Sequence, residues 1–117
     1  MARIEDYAVI GNAETMALVC RNASIDWLCL PRFDSDACFA ALLGDEGNGH
    51  WRIAPADADA RGERHYRDGT LVLETEFRCA DGRVKVIDCM HAHEDEKVEV
   101  LRLVEGIEGK VFMQMEL

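Results

Sequence analysis

Apolar and polar residues alternate along most of this chain with a period of two, in short runs broken by turn-forming residues, which is the signature of antiparallel strands. Tyr7 to Ile10 is one such run, closed by Gly11-Asn12. Glu14 to Cys20 is a second, and Ile25 to Leu30 follows after Arg21-Asn22-Ala23-Ser24, so RNAS reads as a hairpin connection. Pro31 lacks an N–H donor and forces Leu30 into an extended conformation, which ends the third strand. The period then changes. Cys38, Phe39, Leu42 and Leu43 recur at helical spacing, Ser35 is placed to cap and Gly44 to terminate, so a short helix is expected over 36–43.

Beyond a DEGNG loop at Asp45 to Gly49, His50 to Ala56 reads as a strand. Asp57 to Arg64 reads as a polar excursion ending near His65-Tyr66, the segment most expected to be mobile. The cleanest alternation lies at 71–79, with Leu71, Leu73, Thr75, Phe77 and Cys79 on one face and Glu74, Glu76 and Arg78 on the other. Ala80-Asp81-Gly82-Arg83 carries an Asp-Gly turn signal, and Val84 to Met90 is its hairpin partner. Val98 to Val104 changes phase midway, which predicts a bulge or burial on both faces. Gly106 to Gly109 reads as a turn, and Val111, Met113, Met115 and Leu117 form a last alternating face. About eight strands in hairpin-like succession with one short helix predict an all-β antiparallel sandwich. The last strand runs to the terminus without a cap or polar tail, and the expectation is that 1–117 is cut from a longer protein.

Composition agrees with a folded domain: 117 residues, 49% hydrophobic and 31% charged. A single domain of this length buries roughly 65% of its unfolded surface. Thirteen Lys and Arg against 23 Asp and Glu give a formal charge of -10, which repels phosphate backbones and anionic lipid, so neither nucleic acid nor membrane is expected as a partner. Five cysteines in apolar stretches, an odd number without C-x-x-C spacing, suggest reduced thiols and a cytoplasmic location. Glu5 and Asp6 stand where a signal peptide needs an apolar run, and the sequon Asn22-Ala23-Ser24 is read as a turn.

Candidate chemistry is sparse. His91-Ala92-His93, followed by Glu94 to Glu96, brings two imidazoles close to acids, but a zinc site needs three or four ligands and no second cluster has ligand spacing. The glycines form no phosphate-binding pattern, and no Ser or Cys has the context of a nucleophile. No metal, no cofactor and no catalytic residue is assigned. The densest stretch is SIDWLCLPRFDS, residues 24–35. Alternation places Asp26 on the face of Leu28 and Leu30, where a carboxylate needs a hydrogen-bond donor or a cation, and Trp27 on the opposite face with Cys29. Arg32, Phe33 and Asp34 follow Pro31 in a loop between elements, where binding groups concentrate. Their charge and apolar face suit a sugar ring, while Asp34 also suits a helix cap and Phe33 a plug at the sandwich edge. Asp26, Trp27, Arg32, Phe33 and Asp34 are thus the candidates for substrate binding or a domain interface.

IEDYAVIG (4–11), ETMALV (14–19), SIDWLCLPRFDSDACFAALLG (24–44) and GTLVLETEF (69–77) resemble the amino-terminal region of bacterial glycoside hydrolase family 15 proteins, the glucoamylase and trehalase-like group. Asp36 departs from the Pro common there, and Asn22-Ala23 from a Gly-containing turn. The resemblance implies an amino-terminal β-sandwich followed, in the complete polypeptide, by an (α/α)6 catalytic barrel as its partner. It implies hydrolysis of α-glucosidic bonds with inversion, by two Glu residues of the barrel that lie outside these 117 residues. It also implies that the loop from Pro31 to Ser35 reaches toward the barrel's carbohydrate substrate. A stand-alone carbohydrate-binding module with Trp27, Trp51 or Tyr66 as stacking platforms, and a homodimer through an edge strand, are the alternatives.

Overall fold

The computed structural model describes residues 3–11, 15–29, 37–41, 49–92 and 98–117. Among them a single turn of 3-10 helix, Ile4–Asp6, leads into ten strands. These are β1 (Tyr7–Gly11), β2 (Met16–Cys20), β3 (Ser24–Cys29), β4 (Ala37–Phe39), β5 (Trp51–Pro55), β6 (Arg61–Tyr66), β7 (Leu73–Cys79), β8 (Gly82–Ala92), β9 (Val98–Gly109) and β10 (Met113–Glu116). One antiparallel sheet has the order β1-β2-β3-β5-β10, with β4 also paired to β3. The other is the meander β6-β7-β8-β9. The chain therefore completes most of the first sheet, builds the second, and returns with β10 beside β5. The antiparallel sandwich expected from the alternation is what the chain forms.

Two apolar clusters fill the space between the sheets. One gathers Ala8, Ile10, Ala17, Val19, Ile25, Leu28 and Leu73, and the other Ala23, Ile53, Ala54, Phe77, Val84 and Val86, with Trp51 packed against both. Each fully buried aliphatic side chain contributes about 1.5–3 kcal/mol, so these inward rows supply the main driving force for closing the sandwich.

The β7–β8 hairpin follows its pattern: Leu73, Thr75 and Phe77 are buried, and the ladder runs from Leu73↔Asp88 to Cys79↔Gly82. The connection is Ala80-Asp81, with Gly82 already in the strand. A Cβ on Gly82 would stand 2.3 Å from Glu108 O, so the glycine serves the close approach of β9 and not the turn.

Three expectations are corrected. Over 37–39 the chain forms β4, not helix: Leu28 faces Phe39 and Cys29 faces Ala37 across the ladder. A two-turn helix is marginal by itself, and the open length of β3 beyond its pairing with β5 offers backbone partners that outweigh it. Ala40 and Ala41 follow with both N–H groups on Gly49 O, while Asp36, Leu42 and Leu43 of the expected helix lie outside the described residues, as do the turn at Asn12 and most of the DEGNG loop. Next, Arg61–Tyr66 is not a loose excursion but strand β6, in continuous register with β7. Last, Gly106–Gly109 is no turn. β9 continues through it, and the bulge falls at Ile107, between Val84↔Gly106 and Arg83↔Glu108. Residues 98–104 pair regularly, and Leu101 and Leu103 are exposed while Val100 and, as a whole residue, Arg102 are half-buried, so this segment is not buried on both faces.

Candidate functional site

The densest stretch of the sequence is built around a bulge. Leu18 pairs with Trp27 and Val19 with Ile25, which leaves Asp26 as the extra residue of β3. This shift turns both Ile25 and Leu28 into the core, although strict alternation would separate them. Asp26 does not share the core face with Leu28, and among the described residues it meets hydroxyls and no arginine. Its Oδ2 accepts the Tyr7 hydroxyl at 2.6 Å and its Oδ1 the Ser24 hydroxyl at 2.6 Å. Burial first, and then the hydrogen bond and negative charge of Asp26, hold the Tyr7 phenol far above its ordinary range. Tyr7 is thus a neutral donor at physiological pH. Asp26 fastens the bulge of β3 to β1. Trp27 is half-buried beside Leu18, across β3 from the core-facing Ile25 and Leu28. Arg32, Phe33 and Asp34 lie outside the described residues, so of the five candidates the structure places Asp26 and Trp27, each with its own partners.

A second polar constellation, which the sequence reading missed, sits between the sheets. Arg102 of β9 and Asp88 of β8 face each other in register, with side chains 1% and 0% exposed. Arg102 Nε donates to Asp88 Oδ1 at 2.7 Å and Nη2 to Oδ2 at 3.3 Å. The same guanidinium then crosses to the other sheet. Nη1 donates to Trp51 O at 2.6 Å and Nη2 to Ala23 O, and the group lies 5.1 Å from the Trp51 ring centroid. Burial pushes the Asp88 carboxyl above its ordinary value, against the pull of the Arg102 hydrogen bond and charge. The fork of Arg102 satisfies two backbone carbonyls at the start of β5 and the β2–β3 turn, a geometry lysine cannot reproduce. The available signal was an acid and a base of opposite charge, Asp88 and Arg102, each flanked by apolar residues within the runs VKVIDCM and VEVLRLV.

At the opposite side of the sandwich, β6 supplies the cross-links. The Tyr66 hydroxyl accepts Val9 N–H at 2.9 Å and donates to Val9 O at 2.7 Å, and Arg64 Nη1 donates to Val19 O at 3.0 Å. Tyr66 therefore occupies the backbone of edge strand β1. On the second sheet Glu74, 8% exposed, is ringed by Lys85 at 3.1 Å, Arg67 at 3.3 Å and His65 at 3.4 Å. The Lys85 hydrogen bond, followed by Arg67, holds its carboxyl below the usual range despite burial.

Among the described residues no group of three or more His, Cys, Asp or Glu could hold a metal ion; His93 and the acids Glu94 to Glu96 lie outside them. No disulfide joins any of the five cysteines. No helix of the described residues is long and apolar enough to cross a membrane.

Residues 1–115 match the family described as trehalase-like, N-terminal. The chain belongs to the trehalase-like N-terminal family. Members of this family named trehalase include one from Mycolicibacterium smegmatis, 38% identical over 87 residues, and one from Mycobacterium tuberculosis, 37% identical over 87 residues. Each of these matches covers 74% of this chain and 13% of the relative. A Thermoplasma volcanium trehalase is 38% identical over 110 residues, 89% of this chain and 18% of the relative. The trehalase-like N-terminal segment thus spans less than a fifth of those proteins, and most of each lies outside the match. No solved structure matches the chain.

Proposed function

We propose that this chain is the non-catalytic amino-terminal β-sandwich of a trehalase-like glycoside hydrolase, packed in the same polypeptide against a carboxyl-terminal (α/α)6 barrel. The barrel cleaves α-glucosidic bonds, such as that of trehalose or of glucooligosaccharides, with inversion. The observation that carries this reading is the match of residues 1–115 to the N-terminal family, with relatives named trehalase of which it covers only 13–18%. The polar groups support it: the buried carboxylates Asp88 and Glu74 and the half-buried Asp26 are all committed to holding strands. In this reading Arg32, Phe33 and Asp34 face the mouth of the barrel, with Asp26 and Trp27 as the adjoining wall, and the protein works in the cytoplasm.

The test is glucose release. The 117-residue chain alone should yield none from trehalose or maltooligosaccharides above a buffer control, whereas turnover by this piece would overturn the reading. In the longer polypeptide, Arg32→Ala or Asp34→Ala should raise KM for the sugar by about tenfold, the loss of one charge-assisted hydrogen bond. A second reading, a sugar-binding module, rests on the half-buried Trp27. It gains nothing from Trp51, enclosed by Arg102 and tilted Phe39 at 6.5 Å, or from Tyr66, whose hydroxyl is spent on Val9. Fluorescence titration with trehalose, repeated on Trp27→Phe, separates the two.

A further inference from the structure

A cleft of about 310 Å³ opens where the β2–β3 turn, β5 and the start of β6 meet. Arg52 lines it, and Arg52 Nε is buried with no hydrogen-bond partner among the described residues. In a molecule with 23 acids and a net charge of -10, a buried Nε–H without an acceptor among the described residues is unexpected, because leaving a buried donor unmade costs about 1–3 kcal/mol. Two further donors line the same cleft. Arg21 spends its Nε on Asp6 at 3.1 Å, and Asn22, whose side-chain oxygen takes Ser24 N–H at 3.2 Å, retains its amide N–H groups. One carboxylate, Asp57, is also in the lining, and its Oδ1 is engaged by Asp59 N–H at 2.9 Å.

The rest of the lining is apolar, Ala54, Pro55, Ala58, Ala60 and Gly62, with the buried Phe77 ring behind Gly62. A Cβ on Gly62 would stand 2.9 Å from Phe77 Cε1, so only glycine permits that approach. The cleft thus joins a fork of cationic and amide donors to a hydrocarbon floor.

We infer that this cleft binds a monocarboxylate with a short apolar body, its oxygens taken by Arg52 with Asn22 and Arg21, its carbons laid against Ala58 and Ala60. The planar guanidinium fork matches a carboxylate bidentately. Asp57 sets the charge limit: a single negative charge is tolerated beside it, whereas phosphate, which carries close to two charges at neutral pH, is repelled more strongly and leaves the apolar floor bare. The carboxylate comes either from a free small acid or from a glutamate side chain of a docked polypeptide.

The experiment is amide and side-chain NMR of the full chain titrated separately with butyrate, N-acetylglutamate α-amide and inorganic phosphate. Saturable shifts confined to Asn22, Arg52 and Gly62, with Kd in the millimolar range, are expected for butyrate or the glutamate derivative. The tighter of the two identifies the source. Phosphate should bind at least about tenfold more weakly. Arg52→Leu should weaken carboxylate binding by about tenfold or more, and Arg52→Lys by less, because lysine keeps the charge without the fork. Should Arg52→Leu fail to fold, Ala58→Phe, at an exposed position of the rim, should fill the cleft and abolish the shifts. Absence of saturable binding by either carboxylate, equal binding of phosphate, or undiminished binding in both Arg52→Leu and Ala58→Phe would overturn the assignment.

Discussion

At the residue scale the molecule depends on Arg102. Replacing it by methionine keeps much of the volume but strands the Asp88 carboxylate in the interior and leaves two carbonyls without donors. Such a change should cost about 3–5 kcal/mol in urea unfolding, a large part of the stability of a domain this size. Its pH dependence has a definite sign. Asp88 already has a raised value in the fold because of burial, and removing Arg102 removes the opposing pull. A raised carboxyl favours the protonated fold, so the penalty of Arg102→Met should be smallest in acid and grow as pH rises above the ordinary Asp range of about 3.9. A penalty independent of pH would show that Asp88 is not the group responsible. Glu74 runs the other way. Its value is lowered by Lys85 and Arg67, so it stabilises the fold above the ordinary Glu range and that contribution is lost as pH falls through its folded value. Glu74→Gln should remove this acid-side slope and cost about 1 kcal/mol at neutral pH. Ala23 is a third such residue, with φ at 61° and no exposure. Glycine there would relieve about 1–2 kcal/mol of left-handed strain. It would also lose a buried methyl worth about 0.8 kcal/mol and add unfolded-state freedom, so Ala23→Gly should change stability by less than about 1 kcal/mol.

At the element scale, legibility followed the inward-facing side chains. β7 and β8 were readable because Leu73, Thr75, Phe77, Val84 and Val86 give the two-residue period a hydrophobic phase. β6 was not, since it places Gly62 against a ring and uses Arg64 and Tyr66 to reach the backbone of β1 and β2. A strand that binds its neighbours through polar tips leaves no apolar stripe. β4 was misread because Cys38 and Phe39 fit a helical spacing as well as a short bridge, and only the free length of β3 decides between them. In the candidate site, Asp26 was legible as a carboxylate needing a partner, but the bulge that assigns it to Tyr7 and Ser24 is a matter of register between strands, which one sequence does not display. The role of Tyr66 gives a direct test. Tyr66→Phe should cost about 0.5–1.5 kcal/mol and speed hydrogen exchange at the Val9 amide, while exchange in β7 stays unchanged. Equal rates at Val9 would show that β1 is held without it.

At the scale of the whole molecule, two long edges lie open among the described residues, β9 on one sheet and β10 on the other, joined through Lys110–Phe112. β9 carries exposed Leu101 and Leu103, and Met115 and Phe112 are exposed near β10. Open ladders with apolar side chains recruit partners, so the isolated chain should self-associate with increasing concentration. Leu103→Lys should lower that association in light scattering and change monomer stability by less than about 0.5 kcal/mol. Concentration-independent monomers of the unaltered chain would count against edge pairing. The inter-sheet guanidinium has a further consequence, in time rather than space. Arg102 grips backbone atoms 51 and 79 positions earlier, so a nascent polypeptide leaving the ribosome can join β6 to β1 and β2 early but cannot make this second clasp between its layers until β9 has emerged. That clasp is accordingly a late event, and its loss should hasten unfolding far more than it slows refolding.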